Sequence, residues 1–338
     1  MYSAMKLFLF TLFALSALIA SPASAQTKPQ FAFPVDCTLG EDCWTVNYVD
    51  VDSHPKSARD FTCASKTYEG HKGTDFAIRS RIEMDEGVNV LAARSGKVLR
   101  LRDGEDDTPK TEEQYQAIRD QNKDCGNGII LDHGNGLQSY YCHLKQGSIK
   151  PAIGDEVKKG DAIAQIGQSG FAEFPHLHFT VIWEGGQIDP YTGNLKDDGC
   201  GKYKNNLWED DLAYDPYAIF DGGFSLSVPD FKAIESGEIH PKTLPNRGDA
   251  LVYWAAFYQA TEGDEIVLTI TDPDGNIWTE RTHTIKESRK RPSYYYTGRK
   301  LNDAALKPGD YSGTITYTKK GHPPKSVTHK VTITDGVN

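Results

Sequence analysis

Short runs of apolar and β-branched residues, separated by glycine-containing turns, recur along the chain from about residue 31 to residue 190. Runs of this length and composition predict the strands of an antiparallel sheet. The predicted strands are 88–92, 96–101, 128–132, 137–141, 162–167 and 177–183. Gly134-Asn135-Gly136 lies between two of these runs and predicts a hairpin. A polar insertion at 103–124 breaks the rhythm, and residues 111–119 within it predict a short surface helix.

A second region rich in strands follows a segment without periodicity. Residues 191–222 are rich in Asp, Asn, Gly and Pro and predict a connector, with Cys200 as a candidate staple. The strands predicted beyond it are 251–258, 265–271, 277–284, 294–298, 311–318 and 327–334. This density of short strands predicts a small β-sandwich of immunoglobulin-like architecture. The expected fold class is therefore all-β, with an antiparallel sheet domain followed by a sandwich.

The N-terminus has the pattern of an export signal. Lys6 precedes an apolar run at 7–20, and Ala23-Ser24-Ala25 is a small-residue cleavage site. The apolar run is shorter than the roughly 20 residues that a membrane-spanning helix needs. We therefore expect cleavage after Ala25, no membrane span, and a periplasmic or secreted mature protein that starts at Gln26.

Six cysteines are expected in that oxidising compartment, where an even number favours disulfides. No C-x-x-C spacing is present, so a zinc site built from cysteines is not expected. Cys37 with Cys43 is the preferred pair because the two are local and bracket a glycine-containing turn. Cys125 with Cys142 is the second choice.

The charge balance excludes one class of partner. The formal net charge is −10, and removing the signal deletes Lys6 and no acidic residue, which leaves −11. A nucleic-acid-binding surface would be basic. We therefore expect no nucleic-acid partner.

One candidate for chemistry is the pair His71 and Asp75, four residues apart in a glycine-containing segment. In an extended chain this even spacing places both side chains on the same side. An imidazole and a carboxylate can then converge on one cation. Taken alone, the pair is a weak signal, and a surface histidine near a helix or strand cap is the favoured interpretation.

A second candidate is Pro175-His176-Leu177-His178-Phe179. On a strand the two imidazoles point to one face, while Leu177 and Phe179 point to the other face and into the core. Burial of the apolar face would fix the orientation of the imidazoles. Two solvent-facing histidines on an edge strand are the alternative interpretation.

A third histidine, His143, lies in Tyr141-Cys142-His143-Leu144 at the end of the hairpin's second strand. Together with the other motifs it is a candidate acid or base. Cys142 alternates to the opposite face and is not expected to be a ligand. His133 lies at the hairpin turn and is predicted to be structural, with its ring bonded to backbone.

In this order the three motifs resemble those of the lysostaphin-like, LytM-type zinc metalloendopeptidases, which carry His-x-x-x-Asp, then Tyr-x-His-Leu, then His-x-His. The glycine-punctuated segments 126–136 and 154–167 are also similar to that family. The resemblance covers roughly residues 68–190. The loop 168–175 departs from it, because it is bulkier and more acidic than the small-residue loop that often precedes His-x-His.

The resemblance implies that His71, Asp75 and His178 bind one zinc ion per chain, and that His143 and His176 are the catalytic pair. Three protein ligands leave a fourth position for water, as a hydrolytic zinc site requires. It also implies hydrolysis of peptide stems or cross-bridges of peptidoglycan. We expect the protein to be a monomer. The D-alanyl to diaminopimelate bond is favoured over glycine bridges.

Two other functions stay open: a non-catalytic protein that binds cell wall or activates other hydrolases, and a secreted protease that acts on proteins. Neither motif order nor composition assigns a role to the second strand-rich region. The expected division of the chain is a signal peptide (1–25), an N-terminal segment (26–67), a zinc peptidase domain (68–190), a connector (191–222) and a β-sandwich (223–338).

Overall fold

The computed structural model of the protein describes residues 1, 30–289 and 291–335. The predicted signal peptide, Met1 excepted, lies outside the described residues. Within the described part of the chain, no helix has the length and apolar character needed to cross a membrane.

The N-terminal region, residues 31–217, is built on one large antiparallel sheet. Its elements are β1 (Cys43–Asn47), β2 (Thr74–Ile78), α1 (Arg81–Glu86), β3 (Asn89–Leu91), β4 (Gly96–Arg102), α2 (Glu112–Asp120), β5 (Asn127–Asp132), β6 (Leu137–Leu144), β7 (Glu156–Val157), β8 (Ala162–Gln165), β9 (His176–Trp183), β10 (Gly186–Asp189), β11 (Asn194–Leu195) and a 3₁₀ turn (Lys196–Asp198). The main path of the sheet is β1-β2-β9-β6-β5-β4-β7, and β10 and β11 extend from β9. The strands that carry the histidine motifs, β2, β9 and β6, are therefore neighbours.

Alternation along β9 fixes which side chains face the core. Leu177, Phe179 and Val181 are all fully buried and pack in one apolar cluster with Tyr141 and Trp208. Side chains at even positions must then leave the sheet on the other face. His176 and His178 are consequently aimed together, as their spacing predicted.

The predicted elements of this region are present. All six predicted strands occur, with shifts of a few residues at their ends. The predicted surface helix is α2, where Thr111 caps the N-terminus in a capping box with Gln114. The Tyr115 hydroxyl donates to the Ala172 carbonyl at 2.8 Å and attaches this helix to the loop before β9.

The sheet also extends beyond the predicted peptidase segment. Strand β1 pairs with β2, and Phe31 and Val35 are buried in the same core. Leu207 and Trp208, from the predicted connector, are buried there too. Residues on both sides of 68–190 thus complete this core.

The C-terminal sandwich, residues 218–335, consists of two facing sheets. Its elements are β12 (Ala218–Ser225), α3 (Phe231–Ser236), β13 (Thr243–Pro245), β14 (Ala250–Tyr258), β15 (Glu265–Thr271), β16 (Ile277–Thr284), β17 (Ser293–Lys300), β18 (Gly309–Thr318) and β19 (Lys325–Thr334). One sheet has the order β12-β14-β17 and the other β13-β19-β18-β15-β16. Tyr253 and Phe257 of the first sheet pack with Leu268 and Ile315 of the second in a single core.

Strand β12 begins inside the segment predicted as a connector. Gly222 and Gly223 lie at its centre, and glycine weakens the strand pattern of a sequence. Gly222 is required by packing, because a Cβ atom there would lie 2.5 Å from the His329 ring. The sequence pattern therefore did not predict the first strand of the sandwich, because packing requires a glycine at its centre.

The two regions are in direct contact. Trp44 and Val46 of β1 share an apolar cluster with Phe220, Trp254 and Tyr258 of the sandwich. This cluster, which also includes Ala77, Ala218, Ile234 and Ala256, is called here the domain interface cluster. It places the end of β14 beside the end of β1.

Three disulfides join the six cysteines, all within the N-terminal region. Cys37–Cys43 and Cys125–Cys142 are the two pairs that the sequence favoured. The third, Cys63–Cys200, fastens the predicted connector to the loop before β2.

Candidate metal centre

The pairing of β2 with β9 brings two of the predicted ligands together. Asp75 on β2 lies directly opposite His178 on β9. His71 lies in the turn that leads into β2, and Gly73 lets this turn approach β9 closely. A Cβ atom at Gly73 would lie 2.5 Å from the Phe179 carbonyl oxygen, so a side chain there would push the turn away.

His71, Asp75 and His178 form a compact triangle of donor atoms. The Asp75 Oδ1 atom lies 2.8 Å from His178 Nδ1 and 3.0 Å from His71 Nε2. The two imidazole nitrogens are 3.1 Å apart. His71 and Asp75 are almost completely buried, and His178 is partly exposed. The structure thus brings together the three residues predicted to bind metal.

Each ligand is oriented by a further contact. His71 Nδ1 donates to the Tyr48 carbonyl at 2.6 Å, which leaves the Nε2 lone pair for the centre. His178 Nε2 is 3.0 Å from the Thr180 hydroxyl oxygen. Asp75 Oδ2 accepts from Asn47 Nδ2 at 2.9 Å. Partners of this kind fix ring orientation and tautomer in metal sites.

The contacts within the triangle fit a positive charge at its centre. Because a carbonyl can only accept, His71 carries its proton on Nδ1, and its Nε2 lone pair faces the Asp75 carboxylate. A proton on His178 Nδ1 satisfies the contact between His178 and Asp75 but leaves the one between His71 and Asp75 without a hydrogen. A cation at the centre of the three atoms relieves this repulsion.

The donor set fits zinc. Two imidazole nitrogens and one carboxylate oxygen are ligands of hydrolytic zinc sites, which keep a fourth position open. Zinc bonds of about 2.0–2.1 Å at tetrahedral angles place ligand atoms roughly 3.3 Å apart, slightly more than the separations found in the triangle.

The two predicted catalytic histidines lie beside the triangle. The ring centroids of His143 and His176 are 4.7 Å apart, and that of His143 is 5.9 Å from His178. His176 Nε2 is 3.8 Å from Asp75 Oδ1. Their Nδ1 atoms donate to backbone carbonyls, those of Ser169 and Phe174, both at 2.8 Å. Each therefore has its Nε2 lone pair available.

His143 is held in an uncommon backbone conformation. Its φ angle is 62°, a left-handed conformation that costs a non-glycine residue on the order of 1 kcal/mol. Its amide donates to the Cys125 carbonyl at 2.8 Å, and its neighbour Cys142 is crosslinked to Cys125. The disulfide thus holds the backbone that aims this imidazole.

The electrostatics keep the two catalytic candidates neutral. Burial lowers the pKa of His143 well below its usual range, and His176 and His178 act in the same direction. Burial also lowers the pKa of His176, although Asp75 opposes the shift. Burial acts to raise the pKa of Asp75, but His71 and His176 outweigh it, and the pKa lies well below its usual range.

Other candidates are explained by structure. His133 Nδ1 donates to the Ser95 carbonyl at 2.9 Å, which confirms the predicted backbone contact. Cys37, Asp42 and Cys43 also lie close enough to hold a metal, but both sulfurs are in a disulfide.

A cleft with a volume of about 290 Å³ opens onto the centre. It is formed partly by the sandwich, since Arg291 pairs with Glu173 from the loop before β9. Its lining residues are Asn47, Tyr68, Asp75, Arg119, Phe171, Glu173, Phe174, His176 and Arg291.

Most residues that contact the ligands lie outside the sequence motifs. Thr180 could have been predicted from the sequence, because it follows His178 by two residues and so lies on the same face of β9. Tyr48 acts through its backbone carbonyl, which leaves no side-chain signal. Asn47 and Gln259, described below, lie far away in the sequence and outside any recognisable motif.

The model of peptidase family M23 matches residues 69–190 of this chain. An uncharacterized metalloprotease of Haemophilus influenzae is 30% identical over 131 residues, which cover 39% of this chain and 22% of that protein. The peptidoglycan DD-endopeptidase ShyA of Vibrio cholerae is 28% identical over 131 residues, which cover 39% of this chain and 24% of that protein. The chain spans about a quarter of the length of these curated relatives.

Two solved structures are also similar. A zinc-containing peptidase from Vibrio cholerae is 25% identical, with a TM-score of 0.34, and the match covers 50% of this chain and 41% of that one. The catalytic domain of the antimicrobial peptidase lysostaphin from Staphylococcus simulans is 26% identical, with a TM-score of 0.26, and the match covers 36% and 75%.

Proposed function

Residues 69–190 of this chain form a domain of peptidase family M23, and we propose that the protein is an exported, zinc-dependent endopeptidase that hydrolyses peptide cross-links of peptidoglycan. The observation that carries the proposal is the triangle of His71 Nε2, Asp75 Oδ1 and His178 Nδ1, with two further imidazoles beside it. We propose that these three residues hold one zinc ion.

A zinc ion held there would polarise the scissile carbonyl and lower the pKa of water toward about 7. The chain's own contribution comes from His143 and His176. Each is neutral, with Nδ1–H bound to a carbonyl, so each Nε2 can accept a proton from the attacking water. The carbonyl on Nδ1 then stabilises the imidazolium.

A protonated Nε2 has two further uses. It can donate a hydrogen bond to the carbonyl oxygen as negative charge develops there, and it can protonate the leaving amine. With two imidazoles in place, one can serve the water and the other the oxyanion.

The substrate proposal rests on the relatives. ShyA and ShyB of Vibrio cholerae are peptidoglycan DD-endopeptidases, each 28% identical to this chain over their matches. We propose the same class of substrate here, with the D-alanyl to diaminopimelate bond favoured. A cell-wall substrate also fits the export signal predicted at 1–25, which would place the mature protein in the periplasm or outside the cell.

The two alternatives differ in what they require of the site. A non-catalytic wall protein would not need the ligands, whereas here all three are present and oriented by further contacts. A protease that acts on proteins would use the same centre, so only its products distinguish it.

The test is digestion of isolated sacculi by the purified mature protein, with and without a chelator, and with fragments identified by mass spectrometry. We expect soluble muropeptides cut at a cross-link, and none with chelator. Casein in a parallel reaction tests the protein-protease alternative. Release of no fragment from sacculi by zinc-loaded protein would contradict the proposed function.

A further inference from the structure

We propose that the C-terminal sandwich is a working part of the metal centre, because Gln259 sets the orientation of the Asn47 amide that holds Asp75. This makes Gln259 a positioning residue that acts across the domain interface. The inference rests on the proposed zinc site but goes beyond it, since no motif of the peptidase segment includes either amide.

A chain of hydrogen bonds leads from the sandwich to the ligand. Gln259 Nε2 donates to Asn47 Oδ1 at 3.0 Å. Asn47 Nδ2 donates in turn to Asp75 Oδ2 at 2.9 Å. The other carboxylate oxygen, Oδ1, is the one in the donor triangle. Both amides are buried, so water does not compete freely for these bonds.

The direction of the Asn47 amide is what matters for Asp75. An amide has a donor end and an acceptor end of almost the same shape. Gln259 occupies the acceptor end, which forces the donor end toward the carboxylate. Without that donor, the buried Asn47 oxygen has lost its Gln259 partner, and the amide is held in place by its bond to Asp75 with no support from the sandwich.

Further contacts hold the backbone and side chain of Gln259 in place. Its φ angle is 62°, a left-handed conformation that costs a residue with a side chain on the order of 1 kcal/mol. Gln259 Nε2 also donates to the Val46 carbonyl at 2.9 Å, and Lys319 Nζ donates to the Gln259 carbonyl at 3.2 Å. The turn after β14 is thus held from both sides, with its amide between two acceptors of β1.

The domains do not depend on Gln259 to stay together. The domain interface cluster buries Trp44 and Val46 against Phe220, Trp254 and Tyr258. Away from the centre, Arg79 Nε donates to the Phe220 carbonyl at 3.4 Å. The hydrogen bonds from Gln259 to Asn47 and from Asn47 to Asp75 are called here the relay. A change at Gln259 therefore breaks the relay and leaves the domain interface cluster intact.

The experiment measures zinc affinity of the full mature protein by competition with a chromophoric chelator. The variant is Gln259→Met, which keeps the length of the side chain and removes both donors. Loss of a direct partner of a metal ligand costs about 10- to 100-fold in affinity, and we expect zinc affinity to fall by about 10-fold here, because Gln259 acts through Asn47. Arg79→Ala is the matched control, because it removes an interface hydrogen bond without touching the relay, and it should leave zinc affinity unchanged.

A double-mutant cycle separates positioning from general support. On an Asn47→Ala background the relay is already broken, so adding Gln259→Met should cause no further loss of zinc affinity. If the two losses multiply, or if Gln259→Met alone binds zinc like the wild type, the inference is overturned. A wild-type protein that binds zinc but cuts no sacculi would remove the proposed function alone. A wild type that binds no zinc would overturn both.

Discussion

The two regions of the molecule both contain histidines, but they use them differently. In the sandwich, two histidines have separate partners. His240 Nε2 lies 3.1 Å from an Asp221 oxygen, and His329 Nδ1 lies 3.0 Å from the Tyr253 hydroxyl. In the N-terminal region four imidazoles and one carboxylate face a common point.

The difference between the two regions shows which features allow histidines to form a candidate metal site. Three neighbouring strands and one turn aim their side chains at the same face of a sheet, and a second contact on each ring turns its free nitrogen inward. In the sandwich, His283 and His329 lie on different strands and His240 lies outside the strands, and each of the three has one ring nitrogen in a separate contact. The number of imidazoles therefore matters less for forming a site than the direction in which the strands point their side chains and the contact made by the second nitrogen of each ring.

The largest contrast should come from Asp75→Ala, with His240→Ala as the matched change in the sandwich. Loss of Asp75 removes the only carboxylate of the triangle, and we expect loss of bound zinc together with loss of sacculus digestion. His240→Ala should keep both. Metal analysis and muropeptide release check the result, and an Asp75→Ala protein that retains zinc would break the comparison.

The next effect separates chemistry from metal binding. His143→Ala and His176→Ala should each retain zinc but lower the rate of hydrolysis by about 10²- to 10⁴-fold, the usual contribution of a general acid or base. The matched control is His329→Ala in the sandwich, with an expected rate equal to that of the wild type. Zinc lost from both variants would show that these imidazoles are part of the metal site instead.

Disulfides sharpen the comparison, since all three lie in the N-terminal region. Replacing Cys125 and Cys142 with serine should lower the free energy of unfolding by about 3 kcal/mol and slow hydrolysis, because the bond holds the backbone of His143. Replacing Cys37 and Cys43, which close a shorter loop, should cost about 2 kcal/mol and leave hydrolysis at 25 °C unchanged. Equal rates for both double variants would contradict this role.

The smallest effect concerns buried acids. The Asp264 carboxylate of the sandwich pairs with Lys319 at 3.1 Å. Among the described residues, the Asp189 carboxyl group of the N-terminal region has only the Tyr191 backbone amide and the Thr192 hydroxyl as hydrogen-bond partners. Burial raises the pKa of Asp189 to about 7. Between its ordinary pKa near 4 and pH 7, the unfolded chain releases this proton while the folded protein keeps it, so stability falls as pH rises.

Asp189→Asn removes this dependence, because its amide can donate to Thr192 and accept from the Tyr191 amide at every pH. Its melting temperature relative to the wild type should therefore rise from pH 4 to pH 7 and then level off. Thermal unfolding at several pH values measures it. A difference that is constant with pH would show that Asp189 is ionised throughout.

Local patterns in the sequence were enough for much of the fold. Strand alternation predicted β9 and the common face of His176 and His178, and residues 111–119 of the polar insertion predicted α2. The two predicted local disulfides are present for the same reason, since short sequence separation brings their cysteines together. The roles of the site residues as ligands and catalysts stay predictions.

Long-range features could not be predicted in this way. The contact from Gln259 to Asn47 joins residues 212 positions apart and depends on how the sandwich docks. Strand β12 was missed because packing against His329 demands glycine at its centre. The third disulfide, Cys63–Cys200, spans 137 positions, and nothing local distinguishes it from the other possible pairings.

The most direct test of the central claim is anomalous diffraction at the zinc absorption edge from crystals of the purified protein. We predict one strong peak per chain within bonding distance of His71 Nε2, Asp75 Oδ1 and His178 Nδ1, with His143 and His176 unbound beside it. A zinc-soaked crystal without a peak at this triangle, or with His143 or His176 as a ligand in place of one of the three, would contradict the account.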